Sequence, residues 1–379
     1  MSTLKVTNIE HGSTTDGGIQ LDSSGHVTID GQQLPTAGAL SSRRININGA
    51  MQVAQRGTIV NAGNEFAGPD RYKFRKNDGA YTISQDSDVP SGQGFGSSWK
   101  ADVTSVPSGG SNSYVFLNHR MEGQDLQHLK KGTSSSESLT VSFWIKSSVT
   151  GTYIVELYDN DNDRQISKSY TVSSADTWEY KTLTYPGDTS GTIDNDNTAA
   201  LELNFWFYAG SNFSSGTLNT SWAASTDANR VAGQVNAASS TDNNIFLTGV
   251  QLEVGEQATP FEHRSYGDEL ARCQRYYEKI EPAARTQGKI HNAGNTQCHF
   301  SLDYRVTKRT TPSVISSKCS ASQVYDGSNA STSGFSYDSD GISADSVTFR
   351  ITLSSSLGSG DIYRNLSGYD IRCDVDAEL

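Results

Sequence analysis

The chain has 379 residues, of which 34% are hydrophobic and 19% charged, with a formal net charge of −12. This length exceeds one ordinary domain, and the acidic balance argues against nucleic acid as partner, because a phosphate backbone must be neutralised by clustered Lys and Arg. No apolar run approaches the ~20 residues that cross a bilayer, and the opening MSTLKVTNIEHG lacks the basic and apolar regions of a leader, so synthesis in a cytosol without membrane insertion is expected.

Ser, Thr, Asn, Asp and Gly are abundant throughout, a mixture that suits short strands and tight turns, so the expected fold class is all-β. Residues 1–42 read LKVTNI, GGIQLDSSG, HVTIDG and QQLPTAGAL, strand-like pieces too short to bury a core alone. Three copies wound about an axis would turn Val6, Ile9, Ile19, Leu21, Val27, Ile29 and Leu34 inward, giving an intertwined N-terminal stem of a homotrimer. A flexible tail is the alternative.

Residues 43–264 contain clear period-2 segments. SLTVSFWIKS turns Leu139, Val141, Phe143 and Ile145 to one face, and ALELNFWFYAG does the same with Leu201, Leu203, Phe205 and Phe207. NNIFLTGVQLEVG sets Phe246, Val250, Leu252 and Val254 against Gln251 and Glu253. One apolar and one mixed face per strand predicts two packed antiparallel sheets, a β-sandwich of jelly-roll type. The mixed face holds Trp144, Trp206 and Tyr208 with Glu202, Asn204, Gln251 and Glu253, rings and hydrogen-bonding groups that a pyranose requires together. The same face could equally be buried against a neighbouring subunit or the long loops. Those loops, 84–113 and 209–244, are polar but carry Phe95, Trp99, Phe213 and Trp222.

Residues 265–281 form the one convincing amphipathic helix, a neck between two sandwiches. Ser265 and Asp268 resemble a capping box, and Leu270, Cys273, Tyr277 and Ile280 share a face. So short a helix must pack on something, either three copies at a trimer axis through Leu270, Cys273 and Tyr277 or the adjacent sandwich. Residues 282–379 alternate again in QCHFSLDYRV, SVTFRITLSS and GYDIRCDVDAEL, predicting a small C-terminal β-sandwich. Its polar loops between 320 and 345 present Tyr325, Phe335 and Tyr337 as a candidate glycan contact.

Four cysteines at wide spacing form no CxxC, so free thiols are expected rather than zinc or disulfides. YDNDNDRQ and TIDNDNTA place Asp159, Asp161, Asp163, Asp194 and Asp196 in turns; they lack the Gly and Glu of an EF-hand loop, so solvated hairpin turns are expected rather than calcium sites. No carboxylate pair, serine elbow or HExxH motif stands out, and His263 beside Glu262, like His299 and Asp303, reads as a surface or interface residue. No enzyme, cofactor or metal is expected.

STLKVTNIEHG, ININGAMQVAQRG, FWIKSSVTGTYIVELYD, FWFYAGSNFSSGT and above all VQLEVG…ATPFEHR followed by RCQRYY resemble phage virion proteins, especially tail-fibre and related structural proteins of cyanobacterial and other marine phages. The resemblance covers most of the chain. It implies a trimeric, virion-borne appendage with a jelly roll similar to carbohydrate-binding modules, attached to other virion tail proteins near its N-terminus and exposed to a host-surface glycan or lipopolysaccharide at the other end. Two alternatives remain, a purely structural virion adaptor or decoration protein and, less favoured, a polysaccharide depolymerase.

Overall fold

The computed structural model describes residues 8–9, 18–21, 27–29, 32–33, 43–280, 287–289, 297–320, 323–325, 329–353, 362–364 and 372–379. The chain divides into two units, one of Met1–Gln52, Thr58–Gly68 and Tyr72–His263, the other of Val53–Gly57, Pro69–Arg71 and Arg264–Leu379. Strands dominate both, in several antiparallel sheets.

Four short strands, β1 (Asn8–Ile9), β2 (Ile19–Leu21), β3 (Val27–Ile29) and β4 (Gln32–Gln33), pair in that order as an antiparallel meander. Of the residues expected inside a shared stem, Val27 is half-buried and Ile19 is 43% exposed. Val6 and Leu34, and the side chains of Ile9, Leu21 and Ile29, lie outside the described residues.

The first unit continues with β5 (Glu65–Phe66), β6 (Tyr72–Lys76), β7 (Ala80–Asp86), β8 (Ser98–Ser105), β9 (Tyr114–Glu122), β10 (Leu139–Ser147), β11 (Gly151–Asp159), β12 (Arg164–Val172), β13 (Glu179–Tyr185), β14 (Ala199–Ala209), the single turn α1 (Ser211–Ser214), β15 (Ala223–Ala224) and β16 (Asn244–Val254). A 5-stranded sheet runs β13-β10-β16-β8-β7 and a 7-stranded sheet β15-β12-β11-β14-β9-β6-β5. Alternation brings the apolar sets of β10 and β14 into one buried cluster, where Phe143 meets Phe205 at 5.1 Å and Trp99 stacks on Phe207 at 5.7 Å. Each such side chain contributes ~1.5–3 kcal/mol on leaving water, so the shared core, more than strand propensity, holds this jelly-roll sandwich together.

Strand β16 breaks its own alternation. Ser142 of β10 lies opposite Gln251, but Trp144 lies opposite Thr248, so a bulge separates the two registers. Gly249, at φ 63°, absorbs the extra residue, and a bulge exchanges the faces on either side of it. Ile245 and Leu247 therefore enter the core before it, and Val250 and Leu252 after it. Phe246, expected inside on a strict period of two, instead lies on the outer face, with the Lys146 and Lys100 ammonium groups 4.3 and 5.3 Å from its ring.

The second unit opens with α2 (Tyr266–Gln274), whose cap is as expected, the Ser265 Oγ accepting from the Asp268 amide. The helix stops short of 281, and Tyr277 instead begins β17 (Tyr277–Ile280). The tyrosines are recruited elsewhere: the Arg71 guanidinium lies 3.4 Å over Tyr276, that of Arg56 lies 3.6 Å over Tyr277, and the Ala377 amide donates to the Tyr276 carbonyl at 2.7 Å. Cys273 at 0% and Tyr277 at 2% exposure are thus covered by their own chain, and Leu270 is half-buried, so the stripe expected at a trimer axis is largely occupied already.

The remaining strands are β18 (Gln287–Lys289), β19 (Gln297–Asp303), β20 (Ser313–Ser320), β21 (Gln323–Tyr325), β22 (Asn329–Ile342), β23 (Ser346–Leu353), β24 (Ile362–Arg364) and β25 (Arg372–Asp376). They form a 3-stranded sheet, β17-β25-β20, and a closed barrel, β18-β19-β23-β22-β21-β24, in place of the expected small sandwich. Closure comes from β24, which pairs with both β18 and β21 and leaves the barrel no free edge. Among the described residues no helix is long and apolar enough to cross a membrane.

Candidate functional site

The outer face of the 5-stranded sheet carries a cleft of 490 Å³. Ser142 and Trp144 come from β10, Tyr180 from β13 and Gly249 from the β16 bulge; the loop between β7 and β8 adds Gln93 and Phe95, and the segment after β16 adds Pro260, Phe261 and His263. Trp144 and Tyr180 are cross-strand partners, so their side chains emerge on the same face, with ring centres 5.3 Å apart. Tyr180 is 47% exposed and Trp144 is half-buried, an open aromatic pair.

The opposing wall is also aromatic. Phe95 meets Phe261 edge-on at 5.0 Å, and the His263 ring lies 5.4 Å from Phe95 and 4.8 Å from Phe261. Burial, then the positive charge of Arg44, holds the His263 ring below its ordinary pKa, so it is neutral at pH 7. Among the described residues, no Asp, Glu, Lys or Arg lines the cleft.

The loop that delivers Phe95 turns through Gly92 (φ 75°) and Gly94 (φ 79°). Its ends are fixed: the Trp178 Nε1 donates to Asp88 at 2.9 Å, the Ser98 Oγ to the Asp88 carbonyl at 2.7 Å, and the Thr248 Oγ1 to the Ser97 carbonyl at 2.7 Å. The bulge sets the floor, since a Cβ on Gly249 would come within 2.7 Å of Phe95 and 3.1 Å of Trp144.

The other expected half of the mixed face, on the 7-stranded sheet, is covered. Trp206 is 1% exposed, stacked on Phe116 at 4.4 Å and packed with Ile154, Phe213 and Val231, and Tyr208 is 8% exposed. Beneath lies a polar network. Glu156 accepts from Trp206 Nε1 at 3.1 Å, from Asn204 Nδ2 at 3.1 Å and from two Arg230 nitrogens at 2.8 Å each. Asn118 Nδ2 donates to Glu202 at 3.0 Å and to Asn204 Oδ1 at 2.6 Å. The loop carrying Phe213, Arg230 and Val231 thus covers Trp206, while Glu202 and Asn204 are buried in the network at 7% and 0% exposure. Tyr208 lies past a register shift in β14 and joins the sandwich core instead of this outer face, so none of the four is within reach of a ligand on this chain.

Of the residues expected to contact a glycan, Trp144 therefore lies in the cleft. Gln251, at 0% exposure, lies beneath its wall. Tyr325 falls on β21 and Phe335 and Tyr337 on β22, with side chains outside the described residues. Phe95 had a sequence signal, an aromatic among glycines in a polar loop. Tyr180 and Phe261 had none, and His263, expected at the surface or an interface, is exposed at the rim of the cleft.

The acidic turns are occupied by the chain itself: Asp159 accepts from Lys131 at 2.5 Å, Asp161 from the Asp194 amide at 3.0 Å, Asp163 from the Tyr158 hydroxyl, and Asp196 from Thr198. Among the described residues no group of three or more His, Cys, Asp or Glu is arranged to hold a metal ion.

No family model matches the sequence, and no curated protein matches it. Among solved structures, the chain is similar to the enzymatically active domain of tailspike protein 4 of bacteriophage CBA120, at 13% identity and a TM-score of 0.30, over 52% of this chain but 21% of that one. It is also similar to a CBM4 structure, at 14% identity and a TM-score of 0.28, over 55% of this chain and 99% of that one. A third is a family 11 carbohydrate-binding module from Clostridium thermocellum in complex with a β-1,3-1,4-mixed-linked tetrasaccharide, at 16% identity and a TM-score of 0.27, over 54% of this chain and 98% of that one. Likenesses this distant carry no functional argument, which rests instead on the cleft.

Proposed function

We propose that the first unit is a saccharide-binding module that takes uncharged pyranose rings in the aromatic cleft. One observation carries the reading: an open Trp144–Tyr180 pair in a 490 Å³ cleft whose described lining residues include no Asp, Glu, Lys or Arg. The size falls within the ~300–1,000 Å³ usual for small-ligand sites. The C–H face of a pyranose stacks on such rings, while the Tyr180 hydroxyl, the Gln93 carboxamide and the neutral His263 ring can meet its hydroxyls. Among the described lining residues none offers a counter-charge to a carboxylated or sulfated sugar, and the nearby Arg44 is buried behind Phe261.

In the wider reading the chain is a virion tail-fibre protein, made in the host cytoplasm, joined to other tail proteins near its N-terminus and binding a host-surface glycan or lipopolysaccharide. The resemblance of its motifs to phage appendage proteins supports this, and so does the exposed Ile19 of the N-terminal meander, an apolar group that a homotrimer would cover. Trimeric display would convert weak sites into avidity gains of ~10²–10⁴. The role is binding rather than catalysis.

A glycan array probed with the full chain and with Trp144→Ala and Tyr180→Ala tests the reading. Neutral glycans should be retained by the parent and lost by both variants. Retention of nothing by the parent would leave the structural-adaptor reading, and retention of acidic glycans alone would contradict the uncharged cleft.

A further inference from the structure

Gln251 and Glu253 alternate outward on β16, yet both are buried, at 0% and 1% exposure. What covers them is the stretch Thr259–Glu262, the approach to the cleft wall. The Gln251 Nε2 lies 3.3 Å from the Thr259 carbonyl, 3.2 Å from Thr259 Oγ1, 3.5 Å from the Pro260 carbonyl and 2.9 Å from Glu253 Oε1, while its Oε1 accepts from the Glu262 amide at 2.8 Å. Glu253 accepts from the Thr259 amide at 2.8 Å and from the Thr259 hydroxyl at 2.6 Å. The amides of Thr259 and Glu262 thus bond to two side chains rather than to a neighbouring strand, so those side chains fix the path of the wall.

The two side chains are held in turn from the other side of β16. β8 pairs with β16 only from Asn244 to Leu247. Beyond that point residues 45–49 take the place of a strand: the Ile45 amide donates to the Leu252 carbonyl at 2.8 Å and the Val250 amide to the Gly49 carbonyl at 2.9 Å. Asn46 brackets Gln251, its Oδ1 accepting from the Leu252 amide at 2.8 Å and its Nδ2 donating to the Val250 carbonyl at 2.9 Å. A Cβ on Gly49 would collide with that same carbonyl, which explains the glycine.

We propose that Gln251 and Glu253, kept in register by Asn46, are positioning residues that set the Pro260–His263 wall and thereby the affinity of the cleft. The claim rests on the saccharide-binding reading, but its first readout does not. It also gives two motifs some two hundred residues apart in the sequence, ININGAM and VQLEVG…ATPFEHR, one shared task.

The test uses the full chain carrying Gln251→Glu. At pH 7.5 the introduced carboxylate faces Glu253, two like charges at hydrogen-bond distance, and loses the donor that Nε2 supplied. Amide-exchange protection at Thr259 and Glu262 should fall at least tenfold, and affinity for a panel of neutral gluco-, galacto- and manno-oligosaccharides at least tenfold with it. At pH 5 the introduced group carries a proton, donates again, and both quantities should return to within about twofold of the parent at that pH. Gln251→Met, similar in size but without hydrogen bonds or charge, should lose protection at both pH values, and it serves if the first variant does not fold. Unchanged protection at Thr259 and Glu262, or a loss that pH 5 does not restore, would overturn the positioning role. So would lost protection with intact affinity. If the parent binds no oligosaccharide, the saccharide reading fails, and the protection factors alone decide whether Gln251 sets the wall.

Discussion

Replacing Gly249 by alanine probes the cleft where fold and site meet. The residue has φ 63°, a conformation that costs an L-residue about 1–2 kcal/mol. The added Cβ would also lie 2.7 Å from Phe95 Cζ and 3.1 Å from Trp144 Cδ1. The nearest atom is the far end of a side chain on a loop, so relief comes by swinging Phe95 away rather than by deforming β16, and sterics add little to the stability cost. Gly249→Ala should therefore lower stability by about 1–2 kcal/mol, which for a unit of this size is ~2–8 °C in Tm. Gly109→Ala provides the comparison, because φ is 85° there and nothing lies within 4 Å of its Cβ. Both variants should melt slightly early by differential scanning fluorimetry, while saccharide binding by calorimetry should fall only in Gly249→Ala. Equal affinities in the two variants would refute the claim that the bulge glycine shapes the cleft.

Trp144→Ala should weaken neutral-saccharide binding about tenfold, ~1.4 kcal/mol, with Tm within about 3 °C of the parent because the ring is half-buried; calorimetry with parallel melting checks both. Glu156→Ala strands Arg230, Asn204 and Trp206 Nε1 in a buried network and should cost about 3–5 kcal/mol in urea denaturation, with a loss under ~1 kcal/mol contradicting the network's weight. Burial pushes the Asp70 carboxyl from its ordinary 3.8 up to about 6, with Arg56 and Gln55 pulling it back. A raised folded-state pKa stabilises fully below the unfolded value and fades as pH rises, so Asp70→Asn should flatten the decline of Tm between about pH 4 and 6; an unaltered slope would contradict it. A fragment of residues 264–379 lacks Arg56 and Arg71, which cover Tyr277 and Tyr276, and should unfold without the sharp transition of the full chain.

Period-2 patterning made the sandwich core legible, because Leu139–Ile145 of β10 and Leu201–Phe207 of β14 each send every second residue into one cluster, although β14 shifts register at both ends of that stretch. It failed at Phe246, where a single glycine bulge exchanged the faces, a shift that composition does not signal. The helix was read too far because Tyr277 and Ile280 fall at helical spacing, while the two arginines that draw the tyrosines into other structure lie some two hundred residues earlier in the sequence. The closed barrel depends on β18, β21 and β24, too short for alternation to register. At the site, sequence placed Trp144 and Trp206 in the same category. Only the fold distinguishes them, since one outer face is capped by the loop carrying Phe213 and Arg230 and the other is left open beside Tyr180.

The central claim is that an uncharged sugar ring lies against Trp144 and Tyr180. A crystal of the full chain grown with a neutral oligosaccharide selected on the array tests it most directly. A pyranose ring stacked in the cleft between that pair and the Phe95–Phe261 wall is the expected result. A saccharide bound elsewhere, or a cleft filled by a neighbouring subunit, would contradict it.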